Sequence, residues 1–268
     1  MSVNCEKIKV NLPNSLESFS FFKKEPFIIF EKNDFLDAGI YKKLVDDVYS
    51  LDDFEHVFIN QGEKKRTSIS GNNLDNLKES TLKNFCCYFL SRDFFDWFKK
   101  THLEHFPRKR FLYFYIRNPK SFIFKLVKRF VRIAKIPIFF FHAEIEYSSI
   151  AKGGFIPPHT DYKSKRLSFV LYVPNTNTSS TEEMRKAMGT KFWRVKKQAG
   201  NSMDRFHCNL LDGQELELFY DNYECFHASE YKENLMVGFI KSDNSWHSVE
   251  SFNFEYDRRA LVINVFEE

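Results

Sequence analysis

The chain has 268 residues, of which 28% are charged and 43% hydrophobic, and its formal net charge is +4. This composition excludes intrinsic disorder and allows a substantial buried core, and we expect neither a membrane span nor a secretory signal because apolar runs of the required length are missing. Five cysteines, an odd number, make a poor disulfide framework and favour a reducing, cytoplasmic setting.

The first half of the chain is predicted to be mainly helical. Apolar residues recur at helical spacing over residues 35–48, and Asp34 is the expected N-cap. Residues 74–90 and 92–106 show the same amphipathic pattern. The polar stretch 64–71 is expected to be a loop.

A strongly basic segment follows, with ten Lys or Arg and no acidic residue between Arg108 and Lys135. On a helix its basic residues fall on one arc and its apolar residues fill the rest. One interpretation is an element that lies on an anionic membrane surface or binds an acidic partner. The other, which we favour, is a helix that buries a broad apolar face against a sheet. Nucleic acid is disfavoured because no recognised nucleic-acid motif accompanies the charge.

The second half has the pattern of a mainly β structure. Short aromatic and β-branched runs separated by turn residues are typical of an antiparallel sandwich or barrel. A short helix is expected after Thr181, which supplies an N-cap followed by acidic residues. We predict an N-terminal helical support region, 1–137, packed on one sheet of a core, 138–268, as one compact unit. The expected strands are 139–147, 167–173, 216–220, 235–240 and 260–266.

The most informative motif is His159-Thr160-Asp161 together with His247 and Arg258. Two imidazoles and one carboxylate occupy one face of an octahedral Fe(II) ion and leave the other face open for a co-substrate and dioxygen. A guanidinium shortly after the last ligand can hold the far end of an acidic co-substrate by a bidentate contact. These residue types therefore indicate an oxygen-activating iron enzyme.

Residues from about 139 to 266 resemble the prolyl-hydroxylase-like branch of the Fe(II)/2-oxoglutarate-dependent dioxygenases. The resemblance is specific in its combination, and each piece is weak by itself. The motif elements are Tyr147, Gly153-Gly154-Phe155, Pro158-His159-Thr160-Asp161, the run Lys165–Tyr172, Asn244-Ser245-Trp246-His247-Ser248-Val249 and Arg258-Arg259-Ala260-Leu261.

This resemblance implies a double-stranded β-helix (jelly-roll) core with Fe(II) bound by His159, Asp161 and His247. It also implies 2-oxoglutarate as co-substrate and O2 as oxidant, and it leaves open whether ascorbate is needed. The basic residue that binds 2-oxoglutarate falls on Arg258, or on Arg259 if the register slips by one. Tyrosine contacts to 2-oxoglutarate fall on Tyr172 and Tyr147.

Two sequence departures from the family pattern leave details open. Ser248 stands where glycine is common after the distal histidine. The usual Gly-Gly-x-Leu element is replaced either by residues 189–193 or by residues 212–216, so the strand order there is undecided.

The function implied is hydroxylation of a small molecule, a saccharide or a lipid headgroup, with succinate and CO2 as co-products. Halogenation is disfavoured because Asp161 leaves no coordination position for a halide. The alternatives are a peptidyl, prolyl-type hydroxylase and, in another class, a non-catalytic jelly-roll binding module. A cytoplasmic protein is expected, held at a membrane periphery if the basic segment has that role.

Overall fold

The structure is a computed structural model that describes residues 8–51, 55–59, 62–69, 74, 77–102, 112–116, 119, 121–136, 138–175, 181–197 and 213–268. Its α-helices are α1 (Ala38–Tyr49), α2 (Thr81–Phe89), α3 (Arg92–His102), α4 (Phe122–Ile133), α5 (Glu182–Ala187) and α6 (Gly213–Asn222). Its strands are β1 (Phe21–Lys23), β2 (Ile29–Lys32), β3 (Glu55–Ile59), β4 (Gly62–Ser68), β5 (Leu112–Tyr115), β6 (Ile138–Ile150), β7 (Ile156–His159), β8 (Lys165–Tyr172), β9 (Lys191–Val195), β10 (Tyr223–Ala228), β11 (Met236–Ile240), β12 (His247–Val249) and β13 (Arg258–Glu267).

Strands β6 to β13 form two antiparallel sheets between which the chain alternates. The larger sheet has the order β11-β8-β13-β6, and the smaller sheet has the order β10-β9-β12-β7. Strand β7 therefore lies in the smaller sheet, between β6 and β8 of the larger sheet in chain order. In the same way, β12 of the smaller sheet follows β11 and precedes β13 of the larger sheet. Apolar side chains from both sheets, including Tyr172, Phe192 and Phe239, pack into one core cluster. The predicted mainly β fold with a double-stranded β-helix core is confirmed.

Five strands of the first half extend the larger sheet, which the sequence analysis did not foresee. β1 and β2 pair beside β11, β3 and β4 pair beside β6, and β5 runs parallel to the start of β6. The expected loop at 64–71 is wrong over residues 64–68, which belong to β4 and pair with β6, and residues 70 and 71 lie outside the described residues. This polar strand lies between β6 and β3, where backbone hydrogen bonds to both neighbours select it, so it needs no apolar period.

Helices α1 to α3 cover the outer face of the larger sheet, as predicted. The buried face of α1 includes Leu44, Val45 and Val48. Its N-cap is Asp37, whose carboxylate accepts from Gly39 N at 2.9 Å, so the expected cap at Asp34 is wrong.

The other predicted helices need smaller corrections. α2 begins at Thr81, after the N-cap Ser80; Leu74 is helical, but residues 77–80 are not, so one continuous helix over 74–90 is wrong. α3 ends at His102, and the remainder of the predicted helix lies outside the described residues. The short helix capped by Thr181 is confirmed as α5.

Residues 216–220 are helical, not a strand, because they lie within α6. A mainly apolar run of five residues with one acidic residue is too short to separate a strand from a helix. Phe219 is buried there against Trp193, Tyr223 and Trp246, which holds the segment as a helix.

The apolar core crosses the expected boundary near residue 137. Leu44 and Phe98 belong to the same buried cluster as Phe141 and Leu167. The division into 1–137 and 138–268 stays a prediction.

Two further expectations concern membranes and cysteines. Within the described residues, every helix is too short or too polar to cross a bilayer.

Cys86 is a buried thiol whose pKa is raised by burial. Cys87 is disulfide-bonded, which the odd number of cysteines did not favour, and the reducing, cytoplasmic setting stays a prediction.

Candidate metal centre

His159 and His247 lie directly opposite each other on neighbouring strands of the smaller sheet. His159 ends β7, His247 begins β12, and the antiparallel register pairs the two residues. Opposed residues project their side chains from the same face, and the two ring centroids are 4.2 Å apart. Strand pairing thus brings together two imidazoles from distant parts of the chain.

Both imidazoles are oriented by a backbone carbonyl two residues earlier. Nδ1 of His159 is 2.9 Å from Pro157 O, and Nδ1 of His247 is 2.9 Å from Ser245 O. Because a carbonyl oxygen only accepts, Nδ1 carries the proton in each ring. Nε2 then keeps its lone pair, the arrangement typical of metal-binding histidines.

Asp161 completes the set from the turn after β7. Its φ of 67° lies in the left-handed region, which is uncommon for residues other than glycine and costs backbone strain. Oδ1 accepts a hydrogen bond from Lys165 Nζ at 2.7 Å and lies 3.7 Å from His159 Nε2. Oδ2 lies 3.5 Å from His247 Nε2.

The other oxygen of this carboxylate, Oδ2, is buried and accepts no hydrogen bond from any residue that the structure describes. A buried acceptor without a donor is costly, and a bound cation removes the cost. The ligand atoms of His159, Asp161 and His247 all lie within 4.8 Å of one another. Two imidazoles and one carboxylate are the donor set of non-haem Fe(II) oxygenases, so these residues fit an iron ion.

The protonation states at neutral pH suit metal binding. Burial raises the pKa of Asp161, but Lys165, His247 and His159 together outweigh burial and hold this pKa well below its usual range. Burial, together with the neighbouring His159, lowers the pKa of His247 to about 3. An ionised carboxylate and a neutral imidazole are the forms that bind a metal.

Arg258 lies between the two sheets in a polar pocket. Its side chain is buried, with Nε donating to Met188 O at 2.7 Å and Nη2 donating to Thr190 Oγ1 at 3.2 Å. Its guanidinium carbon is 5.2 Å from the ring centroid of Tyr172, whose hydroxyl is 2.8 Å from Thr190 Oγ1 and 2.5 Å from Ser229 Oγ. The structure thus brings Arg258 and Tyr172 together.

Arg259 and Tyr147 lie on the opposite face of the larger sheet. The guanidinium of Arg259 is 4.0 Å from the ring centroid of Tyr49 and 3.6 Å from Asp257. Tyr147 packs in the cluster beneath the helices. The alternation of side chains along a strand places these two residues away from the metal centre, so the expectation that Tyr147 contacts a co-substrate needs correction.

Sequence reasoning missed Lys165, Thr190 and Ser229 as parts of the site. Lys165 begins β8 inside the recognised motif, but nothing in the sequence pairs it with Asp161. Thr190 and Ser229 are small hydroxyl residues without a motif of their own. Thr190 does follow Gly189, where a Cβ atom would lie 1.7 Å from Ser229 O. Of the two candidate elements, residues 189–193 lead into β9, whereas residues 213–216 lie in α6.

No protein-family model matches the chain, and none of the curated proteins compared is similar to it. Among solved structures, a prolyl-4-hydroxylase from Pseudomonas putida has a TM-score of 0.46 and 13% identity over 90% of this chain and 93% of that one. A 2OG-Fe(II) oxygenase family oxidoreductase from Burkholderia pseudomallei has a TM-score of 0.47 and 11% identity over 89% and 85%. A prolyl hydroxylase from Trichoplax adhaerens, in complex with a hypoxia inducible factor peptide fragment, has a TM-score of 0.47 and 10% identity over 89% and 83%.

The similarity is one of fold. These proteins include members of the oxygenase group that the sequence resembles.

Proposed function

We propose that this protein is an Fe(II)- and 2-oxoglutarate-dependent dioxygenase that hydroxylates its substrate. One observation carries the proposal: His159 and His247, each with Nε2 as lone-pair donor, converge with the unsatisfied Asp161 Oδ2 within 4.8 Å. This donor set binds Fe(II) in oxygenases and leaves coordination positions open.

The residues around these ligands have distinct tasks. Lys165 holds Oδ1 of Asp161, so that Oδ2 is the oxygen available to a cation. Phe239, whose ring centroid is 4.5 Å from that of His247, covers one side of the ligand with apolar surface. When bound, Fe(II) and 2-oxoglutarate supply the activation of dioxygen, with succinate and CO2 as co-products.

Arg258 supports 2-oxoglutarate as the co-substrate. Its guanidinium is buried, and no carboxylate among the described residues lies within ion-pair distance of it. A buried cation without a counter-ion is costly. The distal carboxylate of 2-oxoglutarate would neutralise it and accept charge-assisted hydrogen bonds, with Tyr172 and Thr190 beside it.

For the substrate we propose a small molecule, a saccharide or a lipid headgroup. Tyr162 follows Asp161 directly and exposes 61% of its surface. An exposed aromatic ring beside the metal ligands supports recognition of a ring-shaped substrate by stacking. The alternative is hydroxylation of a peptide side chain. Screening peptides and small molecules for stimulation of succinate release distinguishes the two substrate classes.

The test of the function begins with metal-free protein under anaerobic conditions. We expect Mn(II) and 2-oxoglutarate together to raise the melting temperature, because a ligand at one hundred times its Kd stabilises the folded state by about 2.7 kcal/mol. The Asp161→Ala variant should lose this shift, whereas Asp221→Ala, at an exposed position on α6, should keep it. An equal shift in Asp161→Ala would remove Asp161 from the metal site.

Catalysis is tested separately from binding. With Fe(II) in air, the wild-type protein should convert 2-oxoglutarate to succinate, and Asp161→Ala should not. Binding of both ligands without succinate, in the presence of the candidate substrates, would instead identify a non-catalytic binding module.

A further inference from the structure

Helix α4 packs on the protein through a narrow strip of its surface. Phe124 and Val131 are buried, where they form a small cluster with Phe140. This strip accounts for the buried positions of α4. The expectation that the helix buries a broad apolar face is therefore wrong.

Most of the apolar surface of α4 faces solvent. Of the twelve large hydrophobic residues exposed in the described part of the chain, eight lie between residues 114 and 136. Such clustering marks an interaction surface, because monomers rarely expose large contiguous apolar patches. On the helix itself the exposed fractions run from 45% to 74%, for Phe122, Ile123, Leu126, Val127, Phe130 and Ile133.

The outward surface of α4 is divided into an apolar half and a basic half. At about 100° per residue, the exposed apolar residues cover an arc of about 140° on one side of the buried strip. The basic residues Lys125, Lys128, Arg129 and Arg132 cover about 100° on the other side, where Lys128 is half-buried and paired with Glu268 and the other three are exposed. The described segment 121–136 contains no acidic residue.

The helix is defined by its own ends, independently of any partner. Ser121 caps the N-terminus by accepting from Phe124 N at 3.2 Å. At the C-terminus, Lys135 adopts a φ of 52°, and Ile136 N donates to Val131 O at 3.1 Å, as in a Schellman motif. The amphipathic face is thus presented on a preformed element.

We propose that α4 docks this protein on an anionic membrane surface, with its apolar half among the headgroups and its basic half toward lipid phosphates. Twelve residues make a helix of about 18 Å, too short to cross a bilayer and suited to lying in the interface. The α4 segment of a second copy has no acidic residue with which to neutralise the basic half, and protein interface cores are depleted of lysine. The proposal does not depend on the metal centre.

The test is co-sedimentation of the full chain with lipid vesicles. Wild-type protein should bind phosphatidylcholine vesicles that contain about one third phosphatidylserine, and binding should weaken as salt is raised. Binding to pure phosphatidylcholine should be much weaker.

Two variants separate the two halves of α4. Lys125→Gln/Arg129→Gln should lower partitioning about 25-fold, since each basic side chain near an anionic leaflet contributes about fivefold. Phe122→Ser/Phe130→Ser should lower it at least about tenfold. The matched controls, Lys42→Gln/Lys43→Gln on α1 and Tyr256→Ser, alter exposed residues elsewhere and should bind as wild type.

Circular dichroism and melting temperature verify that every variant is folded. The proposal is overturned if wild-type protein ignores anionic vesicles, or if the basic variant binds them as tightly as wild type. It is also overturned if sedimentation velocity shows a wild-type dimer that Phe122→Ser/Phe130→Ser converts to a monomer, because a second copy then covers α4.

Discussion

The carboxylate of Asp161 has two oxygens with different partners. Oδ1 is paired with the Lys165 ammonium at 2.7 Å, and Oδ2 faces the imidazole of His247. Both side chains of the ion pair are largely buried. In the metal-free protein Lys165 is therefore the principal counter-ion of a charge that the fold has removed from water.

At this residue scale, Lys165→Met should destabilise the metal-free protein by about 3 kcal/mol at neutral pH, because it leaves a buried carboxylate without its counter-ion. The folded-state pKa of Asp161 is depressed. Its stabilisation is therefore present above the unfolded pKa of about 4 and is lost as the pH falls through the folded value.

The free energy of unfolding, measured in urea, should consequently differ less between wild type and Lys165→Met as the pH is lowered below about 4. At neutral pH, Mn(II) should also reduce this difference, since the cation replaces the missing positive charge. Lys186→Met, which breaks an exposed pair with Glu182 on α5, is the control and should leave stability unchanged. A difference in the free energy of unfolding that does not change with pH would show that Lys165 does not stabilise the ionised Asp161.

Arg258 and Arg259 are neighbours in sequence and lie on opposite faces of β13. Arg258→Ala should raise the concentration of 2-oxoglutarate needed for half-maximal succinate formation by about tenfold or more, because a charge-assisted contact is worth about 1.5–3 kcal/mol. Mn(II) affinity without 2-oxoglutarate should be nearly unchanged. Arg259→Ala is the matched control. If it alone raises the requirement, the proposed anchor is the wrong residue.

Among the elements, β11 shows how closely the first half of the chain is fitted to the core. Gly238 pairs with Phe30 of β2, and a Cβ atom added at Gly238 would lie 2.2 Å from the Phe30 ring. The ring is fully buried, so it has little room to move. Glycine is required here by the close approach of an aromatic ring, not by a turn.

Gly238→Ala should therefore destabilise the protein by about 1–3 kcal/mol through overpacking. Urea unfolding of the single variants and of Gly238→Ala/Phe30→Leu forms a double-mutant cycle. The smaller leucine should recover part of the loss caused by alanine. If the losses in free energy of unfolding from the two substitutions simply add, the Phe30 ring is not the cause of the destabilisation by Gly238→Ala.

For the molecule as a whole, one core serves both halves of the chain. The cluster beneath the helices combines Phe30, Phe85 and Phe98 with Phe169 and Ile263. Strands β2 and β4 also pair with β11 and β6, and so extend on both sides the sheet that contains β6 and β8. Removing the first half would expose one complete face of this sheet.

The fragment 138–268 should consequently fail to fold as a soluble monomer, while the full chain should unfold in a single cooperative transition. Calorimetry of the full chain and circular dichroism of the fragment provide the measurements. A fragment with native-like far-ultraviolet and near-ultraviolet spectra would show that the core of the first half is dispensable.

The sequence alone determined the strands β6, β8, β11 and β13 and the three residues that converge at the metal centre. Long apolar runs and a motif of ligating residue types are local properties of the sequence. They can be recognised without knowing which residues they contact in the folded protein. Only the tertiary structure decided that Arg258 faces inward and Tyr147 outward, that Lys165 neutralises Asp161 and that α4 exposes its apolar half. These features depend on strand register and on packing between residues far apart in the chain. A shift of one residue in register moves every side chain of the strand to the other face of the sheet.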